Sequence, residues 1–163
     1  MNVTIELMNA STENILPTQQ EFQRWSEAAL KAVPCTSDDA IAENTELSIR
    51  IVDESESASL NETYRHKQGP TNILSFPCPR VPGTDINLLG DLAICAALVK
   101  KEASQQSKSI ESHWAHLTVH GVLHLQGFDH EEAAAAQEME TLEINILNTL
   151  GYNDPYQEIK GNE

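Results

Sequence analysis

Four of the six histidines in this 163-residue chain fall within twelve residues, in SHWAHLTVHGVLHLQGFDH. They are His113, His116, His120 and His124, with His130 close behind. On a helix, His120 and His124 stand one turn apart with Cβ atoms about 5–6 Å from each other. At that spacing both rings can reach one ion at about 2.0–2.1 Å from each nitrogen. Gly127 can end such a helix in the left-handed conformation, turning the chain so that His130 comes back to the same ion. The pattern reads H-G-x-x-H-x-x-G-x-x-H. Three neutral imidazoles leave one tetrahedral position open, which distinguishes a catalytic zinc site from a closed structural one. His113 and His116 fit neither the turn nor the third-ligand spacing, and a supporting or surface role suits them better than ligation.

The spacing is that of the long zinc-protease motif except at one residue, where the glutamate that serves as general base is replaced by Gly121. A peptidase without that base loses its chemistry. Gly121 leaves room either for a bulky ligand beside the metal or for close packing of the helix.

The surrounding elements must hold this stripe in place. Val3, Ile5 and Leu7 alternate with polar residues, the signature of a half-buried first strand. Thr18 and Glu21 have capping-box spacing ahead of Phe22, Trp25, Ala29 and Val33, which predicts a helix from about Gln19 to Ala32, closed by Pro34. Residues 34–45 read as a loop. Leu47, Ile49 and Ile51 restore strand alternation, and DESESASLNETYRHK begins a short helix expected to deliver Leu60 and Tyr64 to the core. TNILSFP is a strand after the Gly69-Pro70 break, Pro79, Pro82 and Gly83 make a loop, and another strand lies near Leu88 to Cys95. Helices follow over Ala96–Ser104, Ser109–Leu125 and Glu131–Leu150, the last ending at Gly151 with Pro155 beyond. The Ser109–Leu125 helix is expected to pack Trp114, Ala115, Val119, Val122 and Leu125 on the core and to present its imidazoles on the opposite face. Strands dominate the first half and helices the second, which predicts a single α+β domain rather than a regular βαβ series. Residues 1–155 are assigned to it and 156–163 to a flexible tail.

Composition narrows the classes further. Cys35, Cys78 and Cys95 are odd in number and widely spaced, so neither a disulfide framework nor a cysteine zinc site is expected; all three read as buried or half-buried thiols. The longest apolar run, Leu92–Val99, falls well short of the roughly 20 residues of a membrane span. The opening MNVTIELMNA carries no readable secretory signal, which makes a cytoplasmic location the expectation. The formal net charge of -15 argues against holding nucleic acid by bulk electrostatics. The acids crowd both ends, however, and the middle third is balanced. Arg65, His66 and Lys67 form its tight basic cluster, while Lys100, Lys101 and Lys108 read as a solvated face.

With HGVLHLQGFDH, YRHKQGPTNILSFP, LLGDLAIC and the closing LGYNDPY in the same order and spacing, the sequence resembles the YbeY family of bacterial metal-dependent endoribonucleases, also called rRNA maturation factors. The resemblance covers most of the chain. It implies a mixed sheet of about four strands packed with helices, and one zinc ion, or another divalent transition metal, on His120, His124 and His130. It also implies single-strand-selective RNA cleavage in ribosomal RNA maturation and ribosome quality control. The partners it implies are single-stranded RNA, ribosomal RNA or the ribosome, not DNA or a membrane. The family's functional arginine corresponds to Arg65, ahead of the TNILSFP strand, and Asn72 stands where a common family form has Asp. Such a metal and Arg65 could together neutralise charge developing on a phosphoryl group. Two other readings share the histidines: a hydrolase of peptide-like substrates, and a non-catalytic ribosome assembly factor with a structural metal.

Overall fold

The computed structural model of the chain describes residues 2–33, 44–79, 86–128 and 132–156. Strand β1 (Asn2–Asn9) leads to helix α1 (Gln19–Ala32), then β2 (Asn44–Val52), α2 (Glu54–Arg65), β3 (Ile73–Pro77), β4 (Ile86–Cys95), α3 (Ala96–Gln105), α4 (Ile110–Leu125) and α5 (Ala133–Leu150). The strands form one mixed sheet in the order β1-β2-β4-β3. β1 and β2, and β2 and β4, run parallel, whereas β3 pairs antiparallel with β4 at the edge. This is the α+β single-sheet domain expected from the sequence.

Helix α1 starts and stops where its capping box and periodicity put it. Thr18 Oγ1 accepts from the Glu21 amide at 3.1 Å and Glu21 returns a carboxylate to the Thr18 amide at 3.0 Å. Its Phe22 and Trp25 rings meet edge to face at 5.6 Å, and Phe22 meets Trp114 of α4 at 5.9 Å. Phe22, Trp25, Ile49, Leu92, Ile94, Val122, Leu123 and Leu147 thus form one continuous core between the sheet and α1, α4 and α5. Among the described residues no helix is long and apolar enough to cross a membrane.

Helix α2 corrects one expectation. Leu60 is only half-buried, and Tyr64 is 60% exposed with its ring edge against Phe76. The buried face of α2 is polar instead. Ser57 Oγ donates to Thr71 O at 2.7 Å and accepts from the Thr71 amide at 2.9 Å, and Asn61 Nδ2 donates to Gly69 O at 2.9 Å. These bonds satisfy the backbone of the turn before β3, so α2 earns its place by holding that turn rather than by filling the core. Of the cysteines, Cys95 is buried but Cys78 is exposed, against expectation, because it follows the last residue of edge strand β3; Cys35 lies outside the described residues.

Candidate metal centre

Helix α4 begins at Ser109, whose hydroxyl accepts from the Ser112 amide at 3.1 Å. The expected core arc, Trp114, Ala115, Val119, Val122 and Leu125, is buried. The opposite arc is not the open imidazole face that helical periodicity alone suggests. His113 is 3% exposed and His116 and His120 are partly covered, because α3, α5 and the segment after α5 close over them. A two-faced helix pattern cannot foresee such a third layer.

Along this covered face the rings form a row. His113 and His116 lie 6.1 Å apart, His116 and His120 6.3 Å, and His120 and His124 only 4.5 Å, centroid to centroid. The Nε2 atoms of His120 and His124 are 3.0 Å apart. Beyond them the chain turns at Gly127, whose φ of +100° is the left-handed value expected of it, with its amide bonded to His124 O at 3.0 Å. His130 lies outside the described residues.

Two acids back the row from behind, Glu143 buried and Glu102 partly exposed. Glu143 of α5, 0% exposed, accepts a hydrogen bond from His120 Nδ1 through Oε1. Its Oε2 accepts from the Tyr156 hydroxyl and stands 3.5 Å from His116 Nε2. Burial works to raise the pKa of Glu143, but hydrogen bonds from His116, His120 and Tyr156 outweigh it and hold the carboxyl at about 2. Burial and the adjacent Glu143 carboxylate push the Tyr156 hydroxyl well above the ordinary phenol range, so it stays protonated and donates. At the other end, His113 Nε2 meets Glu102 Oε1 of α3 at 2.8 Å, and Asn72 Nδ2 donates to the same carboxylate at 3.1 and 3.3 Å. Burial lowers the His113 pKa, partly offset by Glu102. Protonated His113 would also leave a buried Nδ1–H with no acceptor among the described residues, which favours the neutral ring.

Ligand atoms of His116, His120 and Glu143 lie within 4.8 Å of one another, a group that could hold a metal ion. Of this group sequence reasoning named only His120 as a ligand, set His116 aside as a supporting or surface residue, and missed Glu143 and its partner Tyr156. The available signal was a lone acid on the buried side of α5, in line with Met139, Ile146 and Leu147.

Gly121 faces the sheet. A Cβ there would lie 2.7 Å from Ile73 Cδ1 and 2.8 Å from Leu92 Cδ2, so of its two expected roles close packing is the one observed. Arg65, the last residue of α2, is exposed, with Nη2 3.5 Å from Ser75 O on β3. β3 therefore touches both Arg65, through Ser75, and α4, through Ile73 against Gly121. His66 ends α2 in the left-handed conformation, and His66 and Lys67 are exposed beside Arg65.

The family model described as Endoribonuclease YbeY matches residues 6–151. A Nitrosococcus oceani protein named Endoribonuclease YbeY is 48% identical over 161 residues, 98% of this chain and 100% of the relative. A Methylococcus capsulatus protein of the same name is 49% identical over 158 residues, 97% and 98% of the two chains. The fold is similar to a solution structure from Thermotoga maritima, with 18% identity and a TM-score of 0.51 over 94% of this chain and 99% of that one.

Proposed function

Because the chain belongs to the YbeY endoribonuclease family, we propose that it is a zinc-dependent endoribonuclease that cuts single-stranded RNA in ribosomal RNA maturation and ribosome quality control. In this reading His120, His124 and His130 hold the metal, Arg65 is catalytic, and residues 1–155 act as one catalytic domain. A cytoplasmic setting belongs to the same proposal, as do RNA or ribosome partners and the absence of DNA or membrane partners. Family membership itself makes the chain a nuclease hydrolysing phosphodiester bonds in RNA.

The observation that carries the metal assignment is the His120–His124 pair. With Glu143 ionised beside it, His120 keeps its proton on Nδ1 and turns an Nε2 lone pair toward His124 Nε2, 3.0 Å away. Two nitrogens on one tetrahedral ion at 2.0–2.1 Å stand about 3.3 Å apart, so the pair needs only a small adjustment to clasp a cation. Imidazole donors suit zinc and also accept neighbouring divalent transition metals. Glu143 fits the ligand role less well, because both its oxygens are already occupied by His120 and Tyr156. An acid behind a ligating histidine is the usual supporting arrangement.

A divalent cation held there supplies Lewis-acid neutralisation of charge on a phosphoryl group. The chain's own residues do the rest. The Arg65 guanidinium, planar and permanently charged, offers forked donors to phosphate oxygens. An unpaired strand can bend its phosphate into a half-covered site, whereas an A-form duplex holds its backbone rigid. Peptidase chemistry is disfavoured by Gly121, since a glutamate side chain there would run into Ile73 and Leu92. The decisive comparison is metal-loaded against chelated protein on single-stranded RNA, duplex RNA and a peptide mixture. Metal-dependent cutting of the single strand alone is expected. Peptide cleavage without RNA cleavage, or RNA cleavage indifferent to metal, would overturn the reading.

A further inference from the structure

The geometry points to Tyr156 and Glu143 as positioning residues for His120: a hydrogen-bonded chain runs from the Tyr156 hydroxyl through the buried Glu143 carboxylate to His120 Nδ1 and fixes that ring's tautomer and rotation. The role rests on His120 being a metal ligand. A histidine that binds through Nε2 must carry its proton on Nδ1 and must not rotate, and an acceptor held at Nδ1 secures both.

The chain of contacts spans three elements that only the tertiary fold brings together. His120 comes from the middle of α4 and Glu143 from the buried side of α5, beside Met139, Ile146 and Leu147. Tyr156 comes from the segment after α5, which is anchored at two points. The Tyr152 amide donates to Leu147 O at 2.8 Å, and its hydroxyl donates to Glu111 at 2.9 Å and accepts from Trp25 Nε1 at 3.2 Å. Asp154 Oδ1 accepts the Tyr156 amide at 2.8 Å, which turns the chain and aims the Tyr156 hydroxyl at Glu143 Oε2. His116 Nε2 closes the group, 3.3 Å from the Tyr156 oxygen.

An ionised carboxylate this deeply buried is tolerated only when its oxygens are hydrogen-bonded. Oε1 is used by His120, which leaves Tyr156 as the close donor to Oε2, with His116 at 3.5 Å. Removing the hydroxyl therefore frees the carboxylate to rotate, and His120 loses the fixed acceptor that sets its tautomer. Neither Tyr156 nor Glu143 needs to touch RNA.

The test compares Tyr156→Phe, Glu143→Gln and the double variant with the parent. Long-range 1H–15N spectra of the metal-free proteins read the His120 tautomer, competition against a chromophoric chelator gives the Zn2+ dissociation constant, and thermal unfolding checks the fold. The parent should show the Nδ1–H tautomer. Tyr156→Phe should fold, show a mixed tautomer and bind Zn2+ about 10-fold more weakly. Glu143→Gln should lose between about 10- and 100-fold, and the double variant little more, because both changes break one chain. Folded variants with parental affinity and tautomer would overturn the proposal. So would loss of all Zn2+ binding in Glu143→Gln together with its retention in His124→Ala, which would make Glu143 a ligand. If Glu143→Gln does not fold, Tyr156→Phe decides alone. His120→Ala separates the underlying reading: parental Zn2+ affinity there would refute the ligand assignment itself.

Discussion

At the scale of single residues, the Arg65 side chain is exposed and has one described hydrogen bond, to Ser75 O at 3.5 Å, the outer limit for such a contact. Arg65→Ala should therefore leave the fold and the metal intact. It should still lower RNA cleavage by roughly two orders of magnitude, the scale of losing one group that stabilises transition-state charge. Arg65→Lys should fall between, since an ammonium keeps the charge but not the planar fork. Cleavage rates on one single-stranded substrate check both, and a parental rate for Arg65→Ala would make the residue an ordinary surface arginine. Local spacing makes the His120–His124 pair legible in the sequence, whereas Arg65 is singled out only by the family resemblance. Glu143 and Tyr156 were hidden because their roles arise only when α5 and the chain beyond it close over α4.

Among the elements, α4 lies so close to the sheet that position 121 admits only glycine comfortably, against Ile73 and Leu92. Gly121→Glu, which restores the protease-type motif, should destabilise the protein by more than about 3 kcal/mol, combining an overpacked contact with a buried unpaired charge. Denaturant unfolding measures the loss, and no peptide cleavage should appear. A different junction responds to pH. Asp53, ahead of α2, accepts from Ser11 Oγ at 2.6 Å and from the Thr12 amide and hydroxyl at 3.1 and 2.9 Å, tying the segment after β1 to the end of β2. The Ser11 bond, then those from Thr12, lower its pKa in the folded state. The stabilisation is thus complete above the usual carboxylate pKa of about 3.9 and is lost as pH falls through the lower folded value. Asp53→Asn should be less stable than the parent at neutral pH, with the gap closing in acid; a gap that stays constant with pH would contradict this. The bounds of α1 and α4 were readable because Thr18 and Ser109 mark them chemically. The burial of α2 was not, since Ser57 and Asn61, rather than its larger apolar residues, face inward. Strand order was likewise beyond local pattern. The parallel β1-β2-β4 pairings join strands separated in sequence, and alternation along a strand says nothing of its neighbours.

For the molecule as a whole, a net charge of -15 repels RNA except where local groups offset it. The exposed Arg65, His66 and Lys67 at the end of α2 form a small basic patch, so few phosphates can be neutralised at once. Log K for a short single strand should fall with log salt with a slope of about -2, at roughly -0.7 per contact. Filter binding over a salt series gives that slope, and a much steeper one would require a larger basic surface than this acidic chain displays. Under the proposed function, weak general attraction combined with one cleavage point at the histidine row would also limit cutting to strands that reach it. The most direct measurement strips the protein with a chelator and returns zinc stepwise while recording cleavage of a labelled single-stranded RNA. Activity should vanish on stripping, rise in proportion to added zinc and level off at about one equivalent per chain, as expected for a single three-histidine centre. Full cleavage by the stripped protein, or none at any zinc level, would contradict a catalytic metal on His120, His124 and His130.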